Sequence, residues 1–169
     1  MNKRLFGITG WKNSGKTTLT EKLVAELVGR GWTVSTVKHA HHDFDIDKPG
    51  ADSFRHRQAG AMEVAIVSAN RWALMHELRG EDEPALEAIL SRLAPSDIVL
   101  VEGYKREAHR KIETRRLEAK DRTPLSAGDP GIVAIAADFV IEDKSLPVFD
   151  LDDVKSIADF VERATGLVA

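Results

Sequence analysis

The chain has 169 residues, 43% of them hydrophobic and 30% charged, and its formal net charge is −3. These values are ordinary for one soluble domain with a proper core, and they give no electrostatic reason to expect a nucleic-acid or membrane partner. The absence of cysteine excludes disulfides, cysteine zinc sites and thiol nucleophiles. The first predicted strand begins close to the N-terminus and no apolar run reaches membrane-spanning length, so we expect a cytoplasmic location.

Residues 10–17, G-W-K-N-S-G-K-T, match the phosphate-binding pattern G-x-x-x-x-G-K-[ST]. A short apolar strand at residues 5–8 precedes them, and apolar residues at helical spacing follow from Leu19. A strand, a glycine loop and a helix aim backbone N–H groups at phosphate oxygens. In that geometry Lys16 meets the β- and γ-phosphates and the Thr17 hydroxyl binds Mg²⁺. The predicted phosphate contacts are Gly10, Lys12, Asn13, Ser14, Gly15, Lys16, Thr17 and Thr18.

The remaining elements alternate between strands and helices. Strands are predicted at residues 32–37, 64–67, 72–75, 98–101 and 132–136, and helices at 51–59, after Pro84, and around 154–161. The second and third of these strands are separated by a tight turn, which predicts an antiparallel hairpin. The alternation predicts an α/β protein with the three-layer P-loop NTPase fold. We expect a mostly parallel sheet flanked by helices, an added hairpin, and one domain over residues 1–169.

The segment from residue 104 to 129 is highly charged. Its prominent cations are Lys111, Arg115, Arg116, Lys120 and Arg122. We therefore predict a mostly exposed excursion with a short strand near Ile112. Residues 118–128 follow no pattern that assigns a function.

Glu102 directly follows the apolar strand at residues 98–101. Ligands gather at the carboxyl ends of such strands, and a phosphate loop usually needs a carboxylate from a neighbouring strand to hold Mg²⁺. We therefore predict that Glu102 and Thr17 are metal ligands. Asp97 stands at the opposite end of this strand and is predicted to be a turn residue.

Residues 39–47 contain three histidines and three aspartates. A dedicated zinc site is one interpretation, although ligands so close in sequence rarely complete a tetrahedral site alone. A switch-like loop that offers Asp45 or Asp47 to the Mg²⁺ shell is favoured, and His41 and Asp43 could serve solubility alone.

The sequence says less about the base. The guanine-reading pattern Asn/Thr-Lys-x-Asp is absent, because Leu5 stands where the aspartate would follow Asn2-Lys3. Asp138 ends the strand at 132–136 and could accept from guanine N1 and N2. A turn or helix cap is the alternative for this residue, and the residues alone do not separate ATP from GTP.

In five further segments the chain resembles the MobB family, the molybdopterin-guanine dinucleotide biosynthesis adaptor proteins: residues 37–53, 71–75, 101–105, 111–112 and 133–138. The resemblance implies a homodimeric GTP-binding protein with weak GTPase activity. It also implies a guanylyltransferase partner that joins GMP to molybdopterin. The polar loop would then sense the γ-phosphate or meet the pterin, through His39, His42, Asp45, Asp47 and Asp52.

Related NTPases place a dimer-bridging lysine at the second position of the octet, which Trp11 fills here, so Lys12 is assigned only to phosphate contact. Slow hydrolysis is expected, because no water-positioning glutamine or arginine finger is identifiable. Two alternative functions remain: a small-molecule kinase with Asp45 as base, or a metallochaperone GTPase using His39, His41 and His42. The hairpin at residues 64–75 has a strand edge that could pair across a two-fold axis.

Overall fold

The structure is a computed structural model that describes residues 3–40, 44–143 and 145–168. Its contacts divide the chain into two compact units, one of Met1–His39 with Leu93–Ala169 and one of Ala40–Arg92. The elements in chain order are β1 (Leu5–Thr9), α1 (Lys16–Gly29), β2 (Val34–Lys38), α2 (Asp52–Gln58), β3 (Glu63–Val67), β4 (Trp72–His76), α3 (Leu86–Arg92), β5 (Ile98–Glu102), β6 (Lys111–Arg115), β7 (Ile132–Ala137), β8 (Val148–Asp150) and α4 (Val154–Thr165).

The larger unit is built on a six-stranded sheet in the order β2-β5-β1-β6-β7-β8, and all its neighbouring strands are parallel. Both α1 and α4 pack against β1 and against each other. Their apolar residues meet those of the central strands in one fully buried cluster that includes Phe6, Ile8, Leu23, Leu100 and Ile157. The carboxyl ends of β1, β2 and β5 therefore lie together at one edge of this sheet.

The structure confirms the predicted α/β fold, with its parallel sheet, flanking helices and antiparallel hairpin. The sequence prediction missed β8, which has only three residues and pairs with β7 at the edge of the sheet. None of the helices in the described part of the chain is both long and apolar enough to cross a bilayer.

The prediction that residues 104–129 are mostly exposed was wrong for the strand near Ile112. This strand is β6, which lies between β1 and β7, and Lys111 and Glu113 are 0% and 1% exposed. Lys111 Nζ donates to the carbonyls of Lys105 (3.1 Å) and Glu107 (2.6 Å) and pairs with Asp129 (2.7 Å). Such partners make burial of the ammonium group tolerable, since a buried charge costs little only when it is paired and hydrogen-bonded.

The other two charged side chains of β6, those of Glu113 and Arg115, are paired with each other. The Glu113 carboxylate accepts from the backbone N–H groups of Leu125 (2.9 Å) and Ser126 (3.1 Å) and from Arg115 Nη2 (2.8 Å). The Arg115 side chain is only 11% exposed. The loop that follows β6 is thus hydrogen-bonded back onto the strand by a charged side chain.

The smaller unit contains α2, α3 and the hairpin of β3 and β4, in which Val64 pairs with Met75 and Val67 with Trp72. One face of the hairpin buries Val64 and Met75 and carries Ile66, which is 42% exposed. On the opposite face Val67, Trp72 and Leu74 are between 46% and 75% exposed. The predicted hairpin is confirmed, and it carries an exposed apolar surface.

Candidate phosphate and metal site

The octet forms a tight loop between β1 and α1. Gly10 has φ 148° and lies close against β6. A Cβ at this position would stand 2.6 Å from Thr114 Oγ1. Ser14 Oγ lies 2.7 Å from Thr114 Oγ1, which in turn donates to the Thr9 carbonyl at 3.1 Å. Gly15 has φ 94° and precedes the first turn of α1. The two glycines therefore occupy positions where side chains would be strained or would clash.

Lys16 folds back over the loop. Its Nζ donates to the Trp11 carbonyl at 2.6 Å. Burial lowers the pKa of Lys16, the nearby ammonium groups of Lys105 and Lys38 lower it further, and Glu102 acts in the opposite direction. An ammonium group that is partly buried and close to other cations would gain from meeting a phosphate, because the anion offsets the repulsion.

The predicted metal ligands are adjacent. Thr17 Oγ1 donates to Glu102 Oε1 at 2.9 Å, and Glu102 is 7% exposed. The Lys38 ammonium stands 3.2 Å from the same carboxylate oxygen and 3.5 Å from Thr17 Oγ1. A hydroxyl and a carboxylate are the hard oxygen ligands that Mg²⁺ prefers, and a cation already lies beside both. The donor set fits Mg²⁺.

A cleft of about 150 Å³ adjoins the loop and is lined by Gly15, Thr18, Leu19, Lys22, Arg116, Asp138, Leu151 and Asp152. Asp138 therefore lines a cleft that it shares with Gly15 and Thr18 of the loop region. Its carboxylate accepts from the Leu117 N–H at 2.8 Å and from Arg116 Nε at 3.2 Å. The turn-capping role is thus present, while each carboxylate oxygen keeps a further lone pair for another donor. Lys12, Asn13, Thr17 and Thr18 are exposed.

Sequence reasoning missed the roles of Trp11 and Lys105 in the loop. The Trp11 Nε1 donates to the Thr123 carbonyl at 2.8 Å, which ties the octet to the charged segment after β6. The Lys105 ammonium lies 4.0 Å from the centroid of the Trp11 ring. The sequence signal was a tryptophan at the second position of the octet.

The predicted polar loop is divided between the two units. His39 follows β2 in the larger unit, where its N–H donates to the Glu102 carbonyl at 3.0 Å and its ring centroid is 4.9 Å from that of Tyr104. His39 therefore lies beside the predicted metal ligand. His42, together with His41 and Asp43, falls outside the described residues.

Asp45 and Asp47 lie in the smaller unit, where both meet Arg57. Asp45 forms two contacts of 2.9 Å with Arg57 Nη2, and Asp47 lies 3.5 Å from Arg57 Nε. The Asp47 N–H, and then Arg57, lower the pKa of the Asp45 carboxyl. A carboxylate stabilised in this way is a weaker base than a free aspartate. Asp52, at the start of α2, is exposed and stands 3.9 Å from Arg55.

The described residues, which exclude 41–43, contain no group of three histidine, aspartate or glutamate side chains that could hold a metal ion. The zinc interpretation of residues 39–47 thus finds no support in the part of that stretch that can be described.

A parallel sheet, a glycine loop leading into α1, and a lysine and threonine at its end define the class of P-loop proteins. The family model "Molybdopterin guanine dinucleotide synthesis protein B" matches residues 5–138. The chain belongs to the MobB family.

Among its relatives is the molybdopterin-guanine dinucleotide biosynthesis adapter protein of Escherichia coli, 40% identical over 159 residues, covering 93% of this chain and 90% of that protein. The adapter protein of Haemophilus influenzae is also 40% identical, over 94% of this chain and 88% of that protein. A crystal structure of a MobB homolog from Bacillus stearothermophilus matches with a TM-score of 0.73 and 31% identity, covering 98% of this chain and 99% of that one.

Proposed function

We propose that this protein is a GTP-binding adaptor in the synthesis of molybdopterin guanine dinucleotide, acting with the guanylyltransferase that attaches GMP to molybdopterin. The observation that carries the proposal is the pairing of Thr17 with Glu102 beside a loop closed by Lys16. The names of the curated relatives support the adaptor role.

In this proposal the backbone of the octet and Lys16 bind the phosphates, and Thr17 with Glu102 holds Mg²⁺, which would neutralise part of the phosphate charge. Asp138 accepts from the guanine base in the adjoining cleft. His39 lies beside Glu102 and would respond to the nucleotide or meet the pterin, together with His42, Asp47 and Asp52 of the same predicted loop. Asp45 is paired with Arg57, and its place in the metal shell stays a prediction.

Hydrolysis is expected to be slow in this proposal. The turn after Glu102 reads Gly103-Tyr104-Lys105-Arg106 and offers no glutamine to orient a water molecule. The loop would therefore hold GTP for the partner enzyme rather than consume it rapidly.

The proposal also includes a homodimer. Val67, Trp72 and Leu74 give one face of the hairpin an exposed apolar surface, and each of its strands has an outer edge that pairs with no other strand among the described residues. Open edges and apolar surface are both features that a two-fold interface can cover.

Nucleotide affinity provides the first test. Lys16→Ala should weaken GTP binding by at least about 10-fold, because a charge-assisted hydrogen bond to phosphate is lost. Lys155→Ala, which removes an exposed lysine of α4, is the charge-matched control and should bind as the wild type does. Equal affinity of the Lys16 variant and the wild type in equilibrium titration would contradict the assignment, and titration with ATP would measure the guanine preference.

The adaptor role needs the partner enzyme. Purified guanylyltransferase, molybdopterin, GTP and Mg²⁺ should give more dinucleotide product when this protein is added, and the Lys16 variant should add less. If the protein instead transferred phosphate from GTP or ATP to a metabolite in a cell extract, the kinase alternative would replace the adaptor role.

A further inference from the structure

Lys105 is a basic residue that the proposed site does not yet use. It stands three positions after Glu102, the last residue of β5, and its ammonium rests on the Trp11 ring at 4.0 Å from the centroid. The carbonyl of the same tryptophan accepts from Lys16 Nζ at 2.6 Å. Two lysines therefore meet at one residue of the phosphate loop, one at its backbone and one at its side chain.

The backbone around Lys105 is fixed. The buried Lys111 donates to the carbonyls of Lys105 and Glu107 and is itself paired with Asp129. Lys105 itself is only partly buried. An anchored backbone with a long, partly exposed side chain allows the ammonium group to move while the turn stays in place.

The turn that leads to Lys105 has an unusual backbone. Gly103 has φ 90° and Tyr104 has φ 45°. A left-handed conformation is uncommon for a bulky residue such as tyrosine, and backbone strain of this kind clusters at ligand sites. A Cβ at Gly103 would come within 3.2 Å of His39 Cβ, so the end of β2 confines the turn.

The charges around this turn favour an anion. Lys105 and Lys38 both lower the pKa of Lys16 by repulsion, and Glu102 opposes them. Lys38 is already paired with Glu102, whereas Lys105 contacts an aromatic ring. A cation–π contact at a partly exposed ring is weaker than a charge-assisted hydrogen bond, so an arriving phosphate oxygen would compete successfully for Lys105.

We propose that Lys105 is a second lysine that binds the terminal phosphate. Its ammonium group leaves the Trp11 ring when a γ-phosphate is present. The turn after β5 thereby distinguishes a nucleoside triphosphate from a diphosphate. This inference rests on the proposed GTP-binding function. Lys105 binds and positions the γ-phosphate, and it contacts the Trp11 ring when the third phosphate is absent.

The test compares the affinities of a non-hydrolysable GTP analogue and of GDP, both with Mg²⁺. Lys105→Gln should lower the affinity for the triphosphate analogue by about 10-fold and change the affinity for GDP by less than about twofold. Only the triphosphate has the γ-phosphate that Lys105 would contact. Lys105→Arg keeps the positive charge and should retain most of the preference for the triphosphate over the diphosphate. Arg106→Gln removes a neighbouring exposed charge from the same turn and is the control for general electrostatics.

A second readout follows Trp11 directly. Its indole N–H resonance, assigned with Trp11→Phe, should shift when the triphosphate analogue binds and should shift less with GDP. In Lys105→Gln the two nucleotides should give the same indole shift.

The outcomes separate this inference from the proposed function. If the wild type binds neither nucleotide, or if Lys16→Ala has no effect, the proposed function fails. If Lys16→Ala weakens both nucleotides while Lys105→Gln keeps the wild-type ratio of affinities, only the role of Lys105 is overturned. An equal loss of both affinities in Lys105→Gln would also overturn it.

Discussion

Thr17 and Glu102 are 85 positions apart in the sequence, yet their side chains share a hydrogen bond of 2.9 Å. The hydroxyl comes from the first turn of α1 and the carboxylate from the end of β5, so the parallel pairing of β1 with β5 brings the two together. This contact was foreseeable, because the octet and the apolar strand before Glu102 each fix one partner. The third member, Lys38, falls in the resembling segment at residues 37–53, but no pattern there assigned it to the metal site.

Glu102→Gln tests the metal site at the scale of one residue. The amide still accepts from Thr17 but lacks the charge, so we expect affinity for Mg²⁺-GTP to fall by about 10-fold. In EDTA the affinity for GTP should stay equal or rise, because a carboxylate no longer repels the phosphates. Titrations with Mg²⁺ and with EDTA measure both, and Glu118→Gln is the exposed control. A similar loss in EDTA would show that Glu102 acts without the metal.

At the scale of an element, β6 shows where sequence reasoning fails. The strands β1, β5 and β7 are apolar runs and were predicted as buried strands. A short strand near Ile112 was also predicted, but β6 reads Lys-Ile-Glu-Thr-Arg and was expected to be exposed. The partners that make its charges tolerable are Asp129 and the N–H groups of Leu125 and Ser126. These groups lie on a loop with no recognisable pattern, so the local sequence carries no signal for the burial of β6.

Two glutamates of this region give a matched stability test. Glu113→Ala removes the partner of two backbone N–H groups and of Arg115, and breaking such a buried pair should cost about 3 kcal/mol of unfolding free energy. Glu118 pairs with Arg116 at 3.6 Å with 81% of its side chain exposed, so Glu118→Ala should cost less than about 1 kcal/mol. Urea denaturation measures both, and equal effects would contradict the burial of β6.

At the scale of the whole molecule, the predicted single domain over residues 1–169 and the predicted dimer stay predictions. The described contacts form two units, and residues 40–92 interrupt the larger one in sequence. The sequence indicated the hairpin that we propose for the interface, because its strands and turn have local signatures. It could not indicate which apolar side chains remain exposed, since that depends on what covers the sheet.

Trp72→Ala tests the dimer. Trp72 is 70% exposed, and an interfacial tryptophan often contributes about 2 kcal/mol, so we expect the dimer dissociation constant to rise by about 30-fold. Val140→Ala truncates an apolar side chain that is 86% exposed in the larger unit and should leave association unchanged. Sedimentation at micromolar concentrations measures both variants, and a monomeric wild type would refute the dimer.

The strand order also has a consequence for biosynthesis on the ribosome. β1 is made first, but its two neighbours in the sheet are β5 and β6, which follow residues 40–92 in the chain. Pairing between distant segments forms slowly, whereas the contacts within residues 40–92 are closer in sequence. A nascent chain that ends before β6 lacks both Lys111 and Thr114, so the nucleotide loop gains its full support only late in translation.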